Sequence, residues 1–425
     1  MSLQTKLFIN GKFVDSQEGS TIKVLNPHDD SQITEVSEAK APDIDDAVAA
    51  AKKAFPAWRD MQAAERGRLL LKLADLIEEK ADELAEIESL DTGHPIRDTT
   101  GLDVPRTAFT YRYFGGMADK LQGSIIPVEP GFLNYVTREP VGVVGQITPW
   151  NFPSTMITRK CAPALAVGCS VVIKPASQTP FSALALAVLA EQAGFPQGVF
   201  NIVTGSANEI GKELTENPIV KKISFTGSTE VGKILLKQSS STVKKVSMEL
   251  GGHAPFIVFD DANVDEAVIG VMQSKFRNSG QTCICANRIF VHEKIYDEFL
   301  NKFIKEVEKI KVGNGLDSNT NSGPLIDQYS LEKVKEHVKD AVNETGADSD
   351  GEVEVRSGCT SVGQGLEEVL ETIAATSLGV DRQRVRYVLM DSDFSLTRVD
   401  TIITMKEKSY HVTLKMGIIV LSLKQ

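Results

Sequence analysis

The run Asn278-Ser279-Gly280-Gln281-Thr282-Cys283-Ile284-Cys285 places a thiol in a small, polar, glycine-containing segment. A cysteine in such a setting is exposed enough to react as a thiolate, whereas one in an apolar run is inert core. Cys161 and Cys169, set among alanines and valines, fit the inert description. Glu249 ends the run Lys245 to Met248 and precedes Gly251-Gly252, so a ligand could approach the backbone beside a carboxylate. That carboxylate could act as a general base, although taken alone it reads better as an ordinary exposed Glu.

Three further motifs carry polar chemistry. Thr148-Pro149-Trp150-Asn151-Phe152-Pro153 fixes a rigid turn, from which Asn151 can present an amide N–H to an oxyanion. Lys174-Pro175-Ala176-Ser177 sets a cation where a ribose or phosphate could bind. Phe225-Thr226-Gly227-Ser228-Thr229-Glu230-Val231-Gly232 reads as strand, turn and helix, with small residues where a pyrophosphate meets a helix N-terminus. It is not the G-x-G-x-x-G dinucleotide fingerprint.

The elements that must position these residues follow from periodicity. Leu7 to Ile9, the Asn10-Gly11 turn signal and Phe13-Val14 read as short strands. Asp43 is expected to cap a helix through Ala47, Val48, Ala51 and Ala54, and a second helix carries Leu69, Leu70, Leu73, Ile77, Leu84 and Ile87. From Pro140 onward, short continuous apolar strands alternate with helices: strands at 141–145, 170–173, 199–203 and 221–225, helices at 155–166, 181–193 and 230–238. That alternation implies an α/β, doubly wound parallel sheet covered on both faces, with ligands at the C-terminal strand ends. A second unit begins with the strand Pro255 to Phe259, and the texture changes again after Asn343.

Bulk composition narrows the function classes. The chain has 425 residues and a net charge of −11, which argues against a general attraction to nucleic acid or anionic membrane. Five scattered cysteines do not resemble a disulfide framework, and no apolar run approaches the roughly 20 residues of a membrane span. A soluble, reducing, cytoplasmic setting is expected.

Taken together and in this order, the five motifs closely resemble the aldehyde dehydrogenase superfamily over residues 7–342. The resemblance implies Cys283 as the nucleophile, with Asn151 and the Cys283 backbone N–H as the oxyanion hole and Glu249 as the base that activates water. It further implies that Lys174 and Ser177 hold the adenosine ribose, and that Trp150, Gly227, Ser228 and Gly232 contribute to the cofactor site. NAD-preferring members tend to carry Glu at the position of Ser177, and a carboxylate there repels a 2′-phosphate, so NADP is preferred and NAD remains possible. Met156 to Lys160, Ser274 to Asn278 and Thr282 to Cys285 look like the succinate-semialdehyde dehydrogenases, which makes Arg159 and Arg277 the candidates for the substrate's distal carboxylate. The alternative reading of each is a salt-bridged surface arginine. Cys285 could pair with Cys283 as a redox switch. Asp91 to Arg97 and Tyr113 to Lys120 are closer to the retinal- and betaine-aldehyde type.

The expected organisation is a nucleotide-binding domain over 1–253, with a protruding oligomerisation hairpin at 121–142, and a truncated α/β catalytic domain over 254–342. An atypical segment at 343–425 follows. The family's Glu-Ile-Phe-Gly-Pro motif is absent from this sequence, as are its subunit-pairing strand and a C-terminal serine of the semialdehyde enzymes. Residues 350–393 instead resemble the pterin-binding region of the xanthine dehydrogenase and aldehyde oxidase family, around Gly363-Gln364-Gly365. The remaining partners of that family are missing, so molybdopterin is not expected. Alternating apolar residues after Phe394 suggest a strand pair. An intact nucleotide domain beside an incomplete catalytic one is the resulting expectation, with unpaired strands as an aggregation hazard.

Overall fold

The computed structural model describes residues 1–343 and, beyond them, the strands Val353–Ser357, Val385–Leu389, Ile402–Met405, Val412–Lys415 and Ile418–Leu421. Two compact units are present: Met1–Leu250 with Lys311–Ile326, and Gly251–Ile310 with Asp327–Gln425.

The first unit opens with the hairpin β1 (Leu7–Ile9) and β2 (Lys12–Val14), turned by Asn10 and Gly11 at φ 52° and 72°. Two consecutive left-handed residues match the right-handed strand twist, which is why Asn-Gly closes this hairpin. The ribbon β3 (Thr21–Leu25) and β4 (Gln32–Ser37) leads into α1 (Ala41–Asp60). Asp43 lies in the first turn of α1 rather than at its cap. Its carboxylate accepts the Lys40 N–H at 2.9 Å and the Ser16 hydroxyl at 3.0 Å, so it fastens the helix start to the preceding loop. The expected long second helix is two: α2 (Ala63–Glu79) and α3 (Ala81–Thr92), broken where Lys80 takes φ −104°, ψ 20°. The apolar spacing crosses the break because Leu73, Ile77, Leu84 and Ile87 all enter one core.

Beyond α3 come the turn α4 (Ile96–Asp98), a π-turn at Thr99–Asp103, α5 (Val104–Met117) and the hairpin β5 (Ser124–Ile126) with β6 (Asn134–Val136). The doubly wound part then runs β7 (Val143–Ile147), α6 (Pro153–Ala166), β8 (Ser170–Lys174), α7 (Phe181–Ala193), β9 (Phe200–Ile202), α8 (Ala207–Glu216), β10 (Val220–Thr226), α9 (Thr229–Ser240) and β11 (Lys245–Glu249). The strand order is β11-β10-β7-β8-β9-β1-β2; β7 to β11 are parallel and β1 joins β9 antiparallel. Alternation along β8 shows how both faces are filled. Val171 and Ile173 enter the core beneath α2, α6 and α7, while Val172 enters the core beneath α1, α8 and α9.

Segment 311–326 returns to the first unit because its backbone rests directly on the turn after α3. A Cβ on Gly323 would lie 2.0 Å from the Gly93 carbonyl oxygen, and one on Gly315 2.3 Å from that of His94. The Ile96 N–H donates to the Gly315 carbonyl at 2.7 Å.

In the second unit, β12 (Ala254–Val258) pairs parallel with β13 (Ala286–Val291). The helices α10 (Val264–Lys275) and α11 (Glu293–Val307) cover them, Val268, Val271, Phe299 and Phe303 sharing one core with Ile289 of β13. The helix α12 (Gln328–Asn343) follows. The late strands, β14 to β18 in chain order, include the antiparallel pair β17 (Val412–Lys415) and β18 (Ile418–Leu421), and β18 lies parallel to the edge of β13. The expected late strand pair is therefore present, and the edge of β13 is covered. The glycine-rich loop 358–365 and the helix expected after it lie outside the described residues.

Candidate active site

In the first unit the polar candidates gather at one edge of the sheet. Winding runs from β7 through β8 to β9 on one side and from β10 to β11 on the other, so the chain reverses direction between β7 and β10. In open parallel sheets that reversal opens a crevice outside the carboxyl ends of the strands. Register aligns those ends: Ile147 pairs with Lys174 and with Phe225, and Thr226 pairs with Glu249. The motifs at 148–153, 174–177, 226–232 and 249–250 consequently border one crevice.

Each loop is held by its own backbone. The Thr148 N–H donates to the Lys174 carbonyl at 3.0 Å, extending the ladder before Pro149 turns the chain. Thr179 donates to the Trp150 carbonyl at 3.3 Å. Phe152 is buried with φ −153°, and its carbonyl receives the Met156 N–H at 2.9 Å as α6 begins at Pro153. Asn151 thus sits half-buried on a turn pinned from both sides. Gln146, wholly inside, clamps α6 to the sheet: its amide donates to the Lys160 carbonyl at 2.9 Å and its oxygen accepts the Cys161 thiol at 3.2 Å.

Lys174 is 3 % exposed, and burial brings its ammonium down to about 8. It donates to Ser177 Oγ at 3.5 Å, and the Ser177 hydroxyl in turn donates to the Gly205 carbonyl at 2.8 Å. A cation already stripped of water is poised for an anionic or hydroxyl-bearing ligand. At the next loop, Ser228 caps α9 by accepting the Val231 N–H at 3.3 Å. Gly227 and Gly232 also have packing reasons. A Cβ on Gly227 would meet the Phe225 ring at 2.4 Å, and one on Gly232 would meet Leu250 at 2.7 Å. These residues fit a nicotinamide dinucleotide: a helix N-terminus beside small residues for its pyrophosphate, and Lys174 with Ser177 for its ribose.

Lys160 is a residue that sequence reasoning did not assign. Its Nζ donates to Ser224 Oγ at 3.1 Å. Burial lowers it to about 8, against the opposing pull of the Glu249 carboxylate. Glu249 itself is exposed at the end of β11, in the electrostatic reach of that ammonium. No signal in the sequence marked Lys160, since only the tertiary fold buries it. Arg159, its neighbour, is exposed.

In the second unit, Cys283 is exposed and Cys285 buried; in the first, Cys161 and Cys169 are buried, and these four described cysteines are all free. The loop before Cys283 is strained. Asn278, Ser279 and Gly280 take φ 51°, 55° and 78° in succession, and two of the three carry a Cβ. Each such non-glycine costs on the order of 1 kcal/mol, and strain of this kind gathers at functional sites. Local bonds hold it: the Gln281 N–H donates to the Asn278 carbonyl at 2.9 Å, and Thr282 Oγ1 to the Arg277 carbonyl at 3.3 Å. Arg277 is half-buried at the start of this loop. The Cys285 thiol points to the Gly280 and Lys275 carbonyls, at 3.4 and 3.5 Å.

A family model described as aldehyde dehydrogenase family matches residues 13–360, more than three quarters of the chain. The chain belongs to the aldehyde dehydrogenase family. It is 50 % identical over 337 residues to glutarate-semialdehyde dehydrogenase of Pseudomonas aeruginosa, covering 79 % of this chain and 70 % of that one. Succinate-semialdehyde dehydrogenase [NADP(+)] of Escherichia coli is 48 % identical over 340 residues, covering 80 % and 70 %. Among solved structures, PnpE in complex with nicotinamide adenine dinucleotide superposes with a TM-score of 0.79 at 50 % identity, covering 86 % of this chain and 74 % of that one. Family membership makes this chain an NAD(P)-dependent oxidoreductase of aldehydes. Among the described residues, no helix is long and apolar enough to cross a membrane.

Proposed function

We propose that this aldehyde dehydrogenase oxidises a short aldehyde bearing a distal carboxylate, of the succinate- or glutarate-semialdehyde type, with NADP preferred over NAD. The observation that carries the reading is Cys283, an exposed thiol presented by a strained loop in a chain whose other described cysteines are buried. The names of the two semialdehyde relatives support the substrate class.

The Cys283 thiolate attacks the aldehyde carbon, and the resulting oxyanion is met by the Asn151 amide and the Cys283 backbone N–H. Donors of this kind are each worth about 3 kcal/mol. A bound nicotinamide supplies the hydride acceptor. Loss of the C–H electron pair with its hydrogen converts the thiohemiacetal to a thioester. Glu249 removes a proton from water, the hydroxide adds to the thioester carbon, and the C–S bond breaks to return the thiolate and release the acid. Arg159 and Arg277 select the carboxylate, since a guanidinium binds it through two parallel bonds. Ser177 leaves room for a 2′-phosphate beside Lys174. The hairpin β5–β6 serves subunit assembly, and the free thiols suit the reducing cytoplasm.

The test is turnover of succinate semialdehyde, followed by absorbance of reduced cofactor with NADP and NAD in parallel. Cys283→Ala must abolish it, and Ser177→Glu must move preference toward NAD. Binding of cofactor without turnover in the wild-type chain would sink the catalytic reading. Equal rates with uncharged aldehydes of the same length would remove the roles of Arg159 and Arg277.

A further inference from the structure

Behind the 149–153 turn lies a cluster that the redox chemistry does not use. Glu88, near the end of α3, His94, in the turn after it, and Asp103, closing the π-turn, are all buried to at least 98 %. Each offers one donor atom, and the three atoms lie within 4.8 Å of one another. His94 Nδ1 and Asp103 Oδ2 are 3.1 Å apart. Glu88 Oε2 accepts the Ser182 hydroxyl at 3.2 Å, but Glu88 Oε1 is buried with no hydrogen-bond partner. A buried polar atom without a partner costs on the order of 1–3 kcal/mol.

We propose that Glu88, His94 and Asp103 form a structural binding site for a divalent transition-metal ion of the Zn²⁺ class. One imidazole and two carboxylates are a ligand set for such an ion; Ca²⁺ and Mg²⁺ take oxygen donors alone. Two carboxylates neutralise its charge. Donors at about 2.1 Å from a common ion stand roughly 3 Å or more apart, which suits the His94–Asp103 spacing. The ion would tie α3 to the start of α5. His94 also packs edge-on to Phe152, with ring centroids 5.1 Å apart, so the same ion would brace the turn that carries Asn151. Its part is positioning, since none of the three ligands reaches the reacting atoms.

The test uses the full chain, purified without chelator, desalted and assayed for metal by mass spectrometry. About one Zn²⁺ per chain is expected, with a rise in Tm when Zn²⁺ is returned to chelated protein. Co²⁺ in its place should give weak visible d–d bands without the near-ultraviolet thiolate band that binding at Cys283 or Cys285 would produce. Glu88→Gln should weaken binding at least tenfold, and His94→Gln likewise. Should either variant fail to fold, the Co²⁺ spectrum of the wild-type chain decides. Less than a tenth of an equivalent with no Tm response overturns the site. So does a thiolate band, or full retention of metal in Glu88→Gln.

Discussion

Glu249 and Lys174 differ in what their surroundings ask of them. Glu249 is exposed at the end of β11, so its role in deacylation is separable from folding. Glu249→Gln should therefore leave the stability within about 0.5 kcal/mol of wild type. It should give a burst of about one reduced cofactor per chain, followed by steady turnover at least a hundredfold slower, because thioester forms but is not hydrolysed. Rapid mixing with quenched-flow detection checks this; loss of the burst itself would move Glu249 to the acylation step. Lys174 is the opposite case. Burial holds its ammonium near 8, below the ordinary 10.5 of an unfolded chain. Between those values the unfolded chain keeps a proton that the folded one has released, so stability rises with pH across that window, by at most about 1.4 kcal/mol per pH unit. Cofactor affinity should move the other way, falling above pH 8 as the cation is lost. Lys174→Met should flatten both curves, readable by denaturant titration and by cofactor fluorescence across pH 7 to about 10.

At the scale of elements, the loop that presents Cys283 stores strain that glycine partly relieves. Gly280 sits at φ 78°, where a side chain is disfavoured by about 1–2 kcal/mol, although a Cβ would find its nearest atom at an ordinary 3.4 Å. Gly280→Ala is therefore expected to lower stability by that amount without a steric clash. Because the same backbone aims Cys283, kcat should drop more than tenfold while cofactor binding, on the sheet of the first unit, stays unchanged. Thermal melts beside cofactor titrations separate the two effects. Similar reasoning explains where periodicity misled. Asp43 looked like the cap residue itself; the helix begins earlier, at Ala41, and Asp43 caps it from the first turn, its carboxylate accepting the N–H of the cap residue Lys40 and the Ser16 hydroxyl. The break at Lys80 was invisible because both helices bury the same face.

At the scale of the whole molecule, the hairpin β5–β6 exposes an apolar surface that the core of this chain does not explain. Ile125, Phe132, Leu133 and Tyr135, on and between β5 and β6, are each more than 60 % exposed, an apolar surface on a hairpin too small to be stable by itself. Replacing Ile125, Phe132 and Leu133 together by Ser should convert an oligomer to monomer on size-exclusion chromatography with light scattering. An unchanged mass would remove the assembly role from the hairpin. Since these side chains bury little within the chain, the far-ultraviolet circular dichroism should hardly change.

Much of this molecule was legible in its residues. Alternation of continuous apolar strands with helices forces a parallel sheet covered on both faces, and β7 to β11 with their helices lie close to where that pattern put them. Motif chemistry singled out Cys283, Asn151, Glu249 and Lys174 as candidates, because reactive types on short polar turns after strands are local facts. The strand order was not local. Only the tertiary structure reverses the winding between β7 and β10, and that reversal gathers four loops from distant parts of the sequence along one crevice. It alone buries Lys160 and Lys174 and so shifts their protons, since burial belongs to the packed core and not to the residue. It alone also returns 311–326 to the first unit and brings Glu88, His94 and Asp103 within reach of one ion, contacts that no periodicity encodes.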